Sequence, residues 1–240
     1  MASPAPDLNC VADFFNGWQI YQQVLAHNYM EHHQIAEIVN HYLREECPSL
    51  DSVLDLGCGD GVFSRQIFQG LTLGQYWGVD LAHQAISLAQ ENLQDLAPQM
   101  HFFPGEISVF IARCQQQFEL ILAGFCLHHL SAQQKQEFLK EARRCLTPRG
   151  RLIWVDVFRQ EGESREGYLK RYENIIKNHW TNLSTQVKEE TFAHICQSDY
   201  PEMASSFQDW VSNAGFPQPH QLYQGAWETE QVWVVSSSKH

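Results

Sequence analysis

The segment that decides the fold is VLDLGCGDGVFSRQI, residues 53–67. It joins an apolar run, three glycines at alternating positions and the start of a helical segment. Glycine has no Cβ, so glycines at positions 57, 59 and 61 allow the backbone to turn tightly and to approach a ligand closely. The segment therefore predicts a strand, a ligand-binding loop and a helix in succession.

Strands and helices are predicted to alternate around this loop. Short apolar runs at 52–56, 75–80, 100–105, 118–124 and 151–158 are separated by helical segments from about Val62, over Ala82–Leu96 and over Ala132–Leu146. Ser131 and Gln134 have the spacing of a capping box for the last of these helices, and residues 147–150 predict a turn after it. The alternation is typical of βαβ units and predicts an α/β fold whose mostly parallel sheet is covered on both faces.

The flanking segments predict a cap and a lid around this core. Apolar residues from Tyr21 to Leu43 recur at intervals of three and four, as in an amphipathic helix. After Phe158 the chain becomes polar and helical in tendency, and two strands joined at Gly225–Ala226 predict an antiparallel C-terminal edge. We predict one domain over 1–240, divided into an N-terminal helical cap (1–48), a cofactor-binding core (49–158), an inserted helical lid (159–210), and a C-terminal helix end with a β-hairpin (211–240).

The charge of the chain argues against polyanionic partners. Its 28 acidic and 16 basic residues give a formal net charge of -12, which leaves little cationic surface for a nucleic acid or an anionic membrane. Residues 1–16 lack the basic start and apolar centre of a signal peptide, and no run approaches the roughly 20 apolar residues of a membrane span. We expect no nucleic-acid partner, no membrane association and a cytoplasmic location.

Cysteine and histidine spacing does not predict a metal site. The seven cysteines are odd in number and form no C-x-x-C pair, which argues against a disulfide framework and a zinc knuckle. The twelve histidines include no H-E-x-x-H motif. We therefore predict no metal, while the sequence leaves open whether a metal joins the histidines.

The glycine spacing distinguishes between two kinds of nucleoside cofactor. A dinucleotide site is written G-x-G-x-x-G, whereas this loop has G-x-G-x-G together with Asp55 and Asp60. These carboxylates would repel a pyrophosphate but suit a ligand that carries a cationic amino group. Asp80, about 20 residues further on at the end of the second strand, is placed to accept both ribose hydroxyls. S-adenosylmethionine is a cofactor of this kind.

Five motifs in order resemble those of class I S-adenosylmethionine-dependent methyltransferases of the small-molecule type. They are DLGCGDG (55–61), GVD (78–80), PGE (104–106), LILAGFCLHHL (120–130) and LTPRGRLIWVD (146–156), and the resemblance covers residues 52–157. It implies a Rossmann-like methyltransferase sheet with S-adenosylmethionine as cofactor. It also implies that the methionyl part of the cofactor is lined by Asp55, Gly57, Cys58 and Gly59. Asp80 would bind the ribose and Leu81 would flank the adenine, which Glu106 and Ile107 would also contact. The backbone near Ala123 and Gly124 would receive the methionyl amino group. Family members often have Asp at the position of Glu106, so the adenine contact could shift by one methylene. A surface carboxylate is the alternative role for Glu106.

Catalysis of methyl transfer requires alignment of a nucleophile and exclusion of water more than any particular side chain. An oxygen or protonated nitrogen nucleophile benefits from a base, and histidine is suited to that role. His128 and His129 follow the fourth predicted strand and are candidates, although such a pair could also cap or pack. His33, His179 and Tyr29 are rival candidates if the N-terminal helix and the lid close over the site, and an exposed helix position is the alternative for His179.

The acceptor pocket is predicted between cap and lid. Aromatic residues concentrate in both segments, which suits a small, partly apolar or cationic acceptor methylated on oxygen or nitrogen. Core packing is the alternative role for these residues. The predicted pocket residues are Trp18, Tyr21, Tyr29, His33, Tyr172 and Trp180.

Other functions share parts of these patterns. A non-catalytic module that binds S-adenosylmethionine would carry the same motifs, since a cofactor pocket does not prove turnover. A protein or tRNA methyltransferase is a further alternative, which the acidic charge weakens for tRNA. An NAD-dependent oxidoreductase would share the loop and Asp80, but the dinucleotide spacing is missing. The sequence leaves the acceptor and the oligomeric state open.

Overall fold

A mixed β-sheet between two layers of helices forms the body of the protein. The computed structural model describes residues 19–238, apart from the side chains of residues 19 and 21. The segment 1–16 and Trp18 lie outside the described residues. The strands are β1 (Ser49–Leu56), β2 (Thr72–Asp80), β3 (Gln99–Pro104), β4 (Phe118–Gly124), β5 (Leu146–Arg159), β6 (Glu202–Met203), β7 (His220–Gln224) and β8 (Glu230–Ser236).

The strand order is β3-β2-β1-β4-β5-β8-β7, with the two-residue β6 paired to the end of β5. Strands β1 to β5 are parallel, whereas β8 is antiparallel to both of its neighbours. This confirms the predicted fold class, a mostly parallel sheet with an antiparallel C-terminal strand. The order reverses between β1 and β4, so the loops at their carboxyl ends diverge and leave a crevice, the usual ligand site of such sheets.

The helices cover both faces of the sheet. They are α1 (Gln19–Ala26), α2 (His32–Glu46), α3 (Val62–Ile67), α4 (His83–Asn92), α5 (Ile107–Arg113), α6 (Ala132–Cys145), α7 (Arg165–His179), α8 (Thr185–Ser198) and α9 (Ala204–Asn213). Helices α2, α3 and α4 bury their apolar sides on one face of the sheet, and α5, α6 and α9 do so on the other. Burial on both faces explains why the later residues of β1, β4 and β5 form nearly continuous buried runs.

Local signals predicted some boundaries correctly and others wrongly. The capping box of α6 is confirmed, because the Gln134 amide donates to Ser131 Oγ at 3.3 Å and the Ser131 amide donates to Gln134 Oε1 at 2.9 Å. The turn predicted at 147–150 is wrong. These residues belong to β5, as an irregular stretch between the pairs Phe118–Leu146 and Leu120–Arg151. Helix α5 was not predicted, since a short apolar segment fits a strand as well as a helix.

The N-terminal helical segment is divided in two. The turn between α1 and α2 contains Asn28 and Glu31, both with positive φ angles of 53° and 57°. Asn28 Oδ1 accepts a hydrogen bond from the His33 amide at 2.9 Å, which favours a turn over a continuous helix. This break directs the first residues of α2 toward the crevice.

A third apolar cluster, which we call the cap cluster, lies outside the two layers against the sheet. Its buried members come from α1, α7, α8 and the α7–α8 connection: Val24, Tyr168, Tyr172, Ile175, Ile176, Trp180, Leu183 and Ile195. Tyr172, Trp180 and Ile195 also line a small cavity with Phe125 and His128, which follow β4. The cap cluster therefore covers the carboxyl end of β4.

Candidate functional site

The glycine loop folds back over the end of β2. The amides of Gly57 and Cys58 both donate to the carbonyl oxygen of Val79, at 2.8 and 3.1 Å. Gly57 has φ +70°, and a Cβ there would lie 2.5 Å from Cys126 Cβ. The loop thus needs glycine at this position for its conformation and for its close approach to the segment after β4.

Asp55 is a buried carboxylate beneath the loop, 1% exposed. Its Oδ2 accepts hydrogen bonds from the hydroxyls of Ser64 and Tyr76. Burial raises the pKa of Asp55 to about 6, although these two hydroxyl donors oppose the shift. The side chain is therefore held in one orientation at the wall of the crevice.

Asp80 connects the end of β2 to the glycine loop. Its Oδ2 accepts from the Gly59 amide at 2.9 Å, and its Oδ1 accepts from the Ala82 amide at 2.8 Å. Each carboxylate oxygen has a second lone pair, so these bonds leave capacity for two further donors. Burial raises the pKa of Asp80, and the two amides oppose that shift.

A cavity of about 470 Å³ opens at this loop. Its walls are the glycine loop, the first turns of α3, the end of β4 and the facing sides of α1 and α2. The lining residues are Gln22, Leu25, Ala26, His32, His33, Asp55, Gly57, Cys58, Gly59, Asp60, Val62, Phe63, Ser64, Gln66, Gly124 and Phe125. Five of the predicted cofactor residues therefore share one cavity: Asp55, Gly57, Cys58, Gly59 and Gly124.

The other predicted cofactor residues, Asp80 included, do not line this cavity. Leu81 is half-buried directly after Asp80, and Ala123 is buried in β4. Ile107 is buried in the core at the start of α5. Glu106 accepts a hydrogen bond from the Ser108 hydroxyl and lines a separate groove along α5.

The histidine pair lies in a single turn of 3-10 helix, Leu127–His129. His128 Nδ1 lies 2.5 Å from Asp156 Oδ1, and the His128 amide donates to Asp156 Oδ2 at 2.9 Å. Burial lowers the pKa of His128, but Asp156 and Asp199 outweigh it, so the net shift is upward. His129 Nδ1 lies 3.2 Å from the carbonyl oxygen of Ser198.

A second, smaller cavity of about 50 Å³ lies beside these histidines. Its lining residues are Val24, Met30, Phe125, His128, His129, Tyr172, Trp180, Thr191, His194, Ile195 and Asp199. Phe125 is part of both cavities. It has a positive φ of 50°, and its amide donates to the Val155 carbonyl at 2.8 Å. The two cavities are therefore neighbours separated by this one strained residue.

The structure places only some of the residues predicted for the acceptor pocket in the same cavity. Tyr172 and Trp180 line the small cavity, and Tyr29 stacks on Trp180 with ring centroids 5.1 Å apart. His33 lines the larger cavity instead. His179 is exposed and packs on Trp227, so it is not placed with His128 and His129. Trp18 and the side chain of Tyr21 lie outside the described residues.

Several site residues escaped the sequence analysis. His32 is 5% exposed, lies between the rings of Phe63 and Phe125, and lines the larger cavity. Neither of its ring nitrogens forms a hydrogen bond with any described residue, and burial lowers its pKa to about 3. The helical periodicity of residues 21–43 already indicated that His32 faces inward. Nothing in the sequence connects Asp199 with His128.

The comparisons with known proteins agree with this geometry. Residues 53–150 match a family model described as "Methyltransferase domain". The malonyl-[acyl-carrier protein] O-methyltransferase of Halalkalibacterium halodurans is 23% identical over 145 residues, which cover 60% of this chain and 50% of the relative. An uncharacterized methyltransferase of Oceanobacillus iheyensis is 20% identical over 230 residues, 95% of this chain and 96% of that protein. The chain thus spans half the length of the first of these relatives.

A solved structure shows the same fold over nearly the whole chain. Magnesium protoporphyrin IX methyltransferase from Synechocystis PCC 6803, crystallised with bound SAH (S-adenosylhomocysteine), has a TM-score of 0.66 at 16% identity, covering 97% of this chain and 100% of that one. The fold is that of class I S-adenosylmethionine-dependent methyltransferases. Residues 53–150 of the chain match a methyltransferase domain, and the cofactor of that class is S-adenosylmethionine.

Within residues 19–238, none of the helices has the length and apolar character needed to cross a membrane.

Proposed function

We propose that this protein transfers a methyl group from S-adenosylmethionine to an oxygen or nitrogen atom of a small-molecule acceptor. The observation that supports this most directly is the position of Phe125 in the walls of both cavities. The larger cavity has the glycine loop that fits the cofactor, and the smaller one has polar side chains that fit a nucleophile. A methyl group at the boundary would face an acceptor in the smaller cavity.

The residues of the larger cavity suit the cofactor. Gly57 and Gly59 permit close backbone approach. Asp80 does not line this cavity, but it accepts from the Gly59 amide of the loop, and its remaining lone pairs can accept the ribose hydroxyls. Asp55 provides negative charge near the position of the methionyl amino group. The cofactor supplies an electrophilic methyl group on its sulfonium, so the protein must mainly align the acceptor and exclude water.

The cap cluster would exclude water from the acceptor. Val24, Tyr172 and Trp180 are each 2% exposed and line the small cavity. A volume of about 50 Å³ is far below the 300–1,000 Å³ of typical small-molecule sites. We therefore propose that residues 1–48 act as a cap and residues 159–210 as a lid, and that they separate to admit the acceptor.

Two of the three candidate catalytic histidines are in a position to act on the acceptor. His128 and His129 line the small cavity, and either imidazole can hold the nucleophilic group of the acceptor. His179 is exposed, packs on Trp227 and does not line that cavity, so we favour the pair after β4.

The proposal is tested first by calorimetric titration with S-adenosylmethionine, S-adenosylhomocysteine and NAD. Binding of the first two without NAD is expected. Transfer of a labelled methyl group to members of a small-molecule library then tests the acceptor class. Binding of the cofactor with no transfer to any small molecule, protein or tRNA would favour a non-catalytic binding module, and binding of NAD alone would refute the cofactor assignment.

A further inference from the structure

A compact set of possible metal ligands lies in the wall of the small cavity. His128, His129 and Asp199 each offer one donor atom, and these atoms all lie within 4.8 Å of one another. All three side chains are buried. Asp199 Oδ1 is 3.7 Å from His128 Nε2 and 3.6 Å from His129 Nδ1. Because the Ser198 carbonyl can only accept the Nδ1 proton of His129, Nε2 is the nitrogen of His129 that would bind the ion. We propose that these three residues bind a divalent cation, with Zn²⁺ as the best match to their donor set.

The hydrogen bonds of His128 direct its free ring nitrogen toward this position. Its Nδ1 is 2.5 Å from Asp156 Oδ1, which places the proton on Nδ1 and the lone pair on Nε2, the nitrogen facing Asp199. Asp156 is itself fixed by the amides of His128 and Val157, each at 2.9 Å. Histidines that bind metals commonly donate their second ring N–H to a carboxylate in this way.

The carboxylate of Asp199 has a buried oxygen that could bind a cation. It is 5% exposed, and its Oδ1 accepts no hydrogen bond from any residue of the described range. A buried carboxylate oxygen without a donor is unfavourable, because it has lost its hydration. The residue is held at the end of α8, where its amide donates to Ile195 and its carbonyl accepts from Arg165.

The surrounding charges also favour a cation. Within residues 19–238, the ion pairs of Asp156 and Asp199 are formed with histidines alone. The nearby lysine, Lys135, pairs with Glu202, and Arg165 donates to backbone carbonyls. Two buried carboxylates thus match the charge of one divalent ion. Binding would displace any proton on His128 Nε2 to solvent.

The donor set indicates the kind of ion and its role. Two imidazole nitrogens and one carboxylate oxygen suit Zn²⁺ or a similar first-row cation better than Mg²⁺ or Ca²⁺. Three protein ligands with an open position are typical of catalytic zinc sites. The open side faces the small cavity, where Thr191 and Tyr172 lie. On the proposed function, the ion would bind an acceptor through an oxygen atom and lower the pKa of its hydroxyl group.

The test measures metal binding directly. The chelator-treated full chain is titrated with Zn²⁺ by calorimetry and with Co²⁺ by visible absorption. We expect one equivalent of either ion and the absorption of a Co²⁺ site with low coordination number. Asp199→Asn and His129→Gln should each weaken binding by at least about 10-fold, since even outer partners of metal ligands contribute that much. His41→Ala removes an exposed histidine and should have no effect.

The outcomes separate the metal site from the proposed function. Failure of the wild-type chain to bind one equivalent, or equal affinity in Asp199→Asn and wild type, would overturn the proposal. If both variants fail to fold by circular dichroism, the stoichiometry and Co²⁺ spectrum of the wild-type chain decide. S-adenosylmethionine titrations on the same samples report on the cofactor site independently of the metal.

Discussion

Substitution of Gly57 by alanine tests the geometry of the glycine loop. The positive φ of +70° costs an L-residue about 1–2 kcal/mol. The new Cβ would also lie 2.5 Å from Cys126 Cβ, well inside the ~3.5–4 Å of an ordinary carbon contact. Relief of such overpacking costs about 1–3 kcal/mol. We therefore expect Gly57→Ala to lower the free energy of unfolding by about 2–5 kcal/mol, and to weaken S-adenosylmethionine binding by displacing the loop.

A matched variant separates the two contributions. Gly162 has φ +75°, but a Cβ there would meet nothing within 4 Å. Gly162→Ala should therefore show only the conformational cost of about 1–2 kcal/mol, with cofactor affinity unchanged. Denaturant unfolding of both variants provides the comparison, together with a double-mutant cycle between Gly57→Ala and Cys126→Gly. Equal losses in the two alanine variants, or no coupling between positions 57 and 126, would refute the reasoning.

Three further substitutions test the cofactor cavity and the C-terminal hairpin. Asp80→Ala should weaken S-adenosylmethionine binding by about 1–3 kcal/mol in calorimetry, because it removes the acceptor of the ribose hydroxyls. His32→Phe should change the free energy of unfolding by less than about 1.5 kcal/mol, because the imidazole ring is buried without a hydrogen bond. The same substitution should reduce methyl transfer or cofactor binding. Burial raises the pKa of Glu230 from 4.5 to about 7, opposed by the Thr229 hydroxyl. The folded state therefore keeps a proton that the unfolded chain has lost, and stability should fall by roughly 3 kcal/mol as pH rises from 4.5 to about 7; Glu230→Gln should remove that slope.

Each of these has a result that would count against it. Unchanged affinity in Asp80→Ala, with the exposed Asp95→Ala as control, would show that Asp80 does not contact the cofactor. Wild-type affinity and activity in His32→Phe would make His32 a packing residue. An identical pH dependence of unfolding in Glu230→Gln and wild type would mean that Glu230 titrates normally.

The parts of the fold that local patterns determine were predicted from the sequence. The later residues of β1, β4 and β5 are buried because both faces of the sheet are covered, and the capping box of α6 involves residues three positions apart. The glycine spacing likewise indicates a tight loop, since positive φ angles are a local property. The turn at 147–150 was predicted wrongly because these residues lie inside β5, between Leu146, which pairs with Phe118, and Arg151, which pairs with Leu120.

The sequence by itself determined the fold class and the glycine loop, and it pointed to Asp80, because the glycine spacing and the carboxylate at the end of β2 lie in contiguous segments. Only the tertiary structure decided the acceptor side. It brings His129 next to Ser198 across 69 residues of chain, and it places Asp199 beside His128 and Phe125 between the two cavities. Such juxtapositions depend on how α7 and α8 pack over the carboxyl end of β4, and no pattern within either segment records that packing.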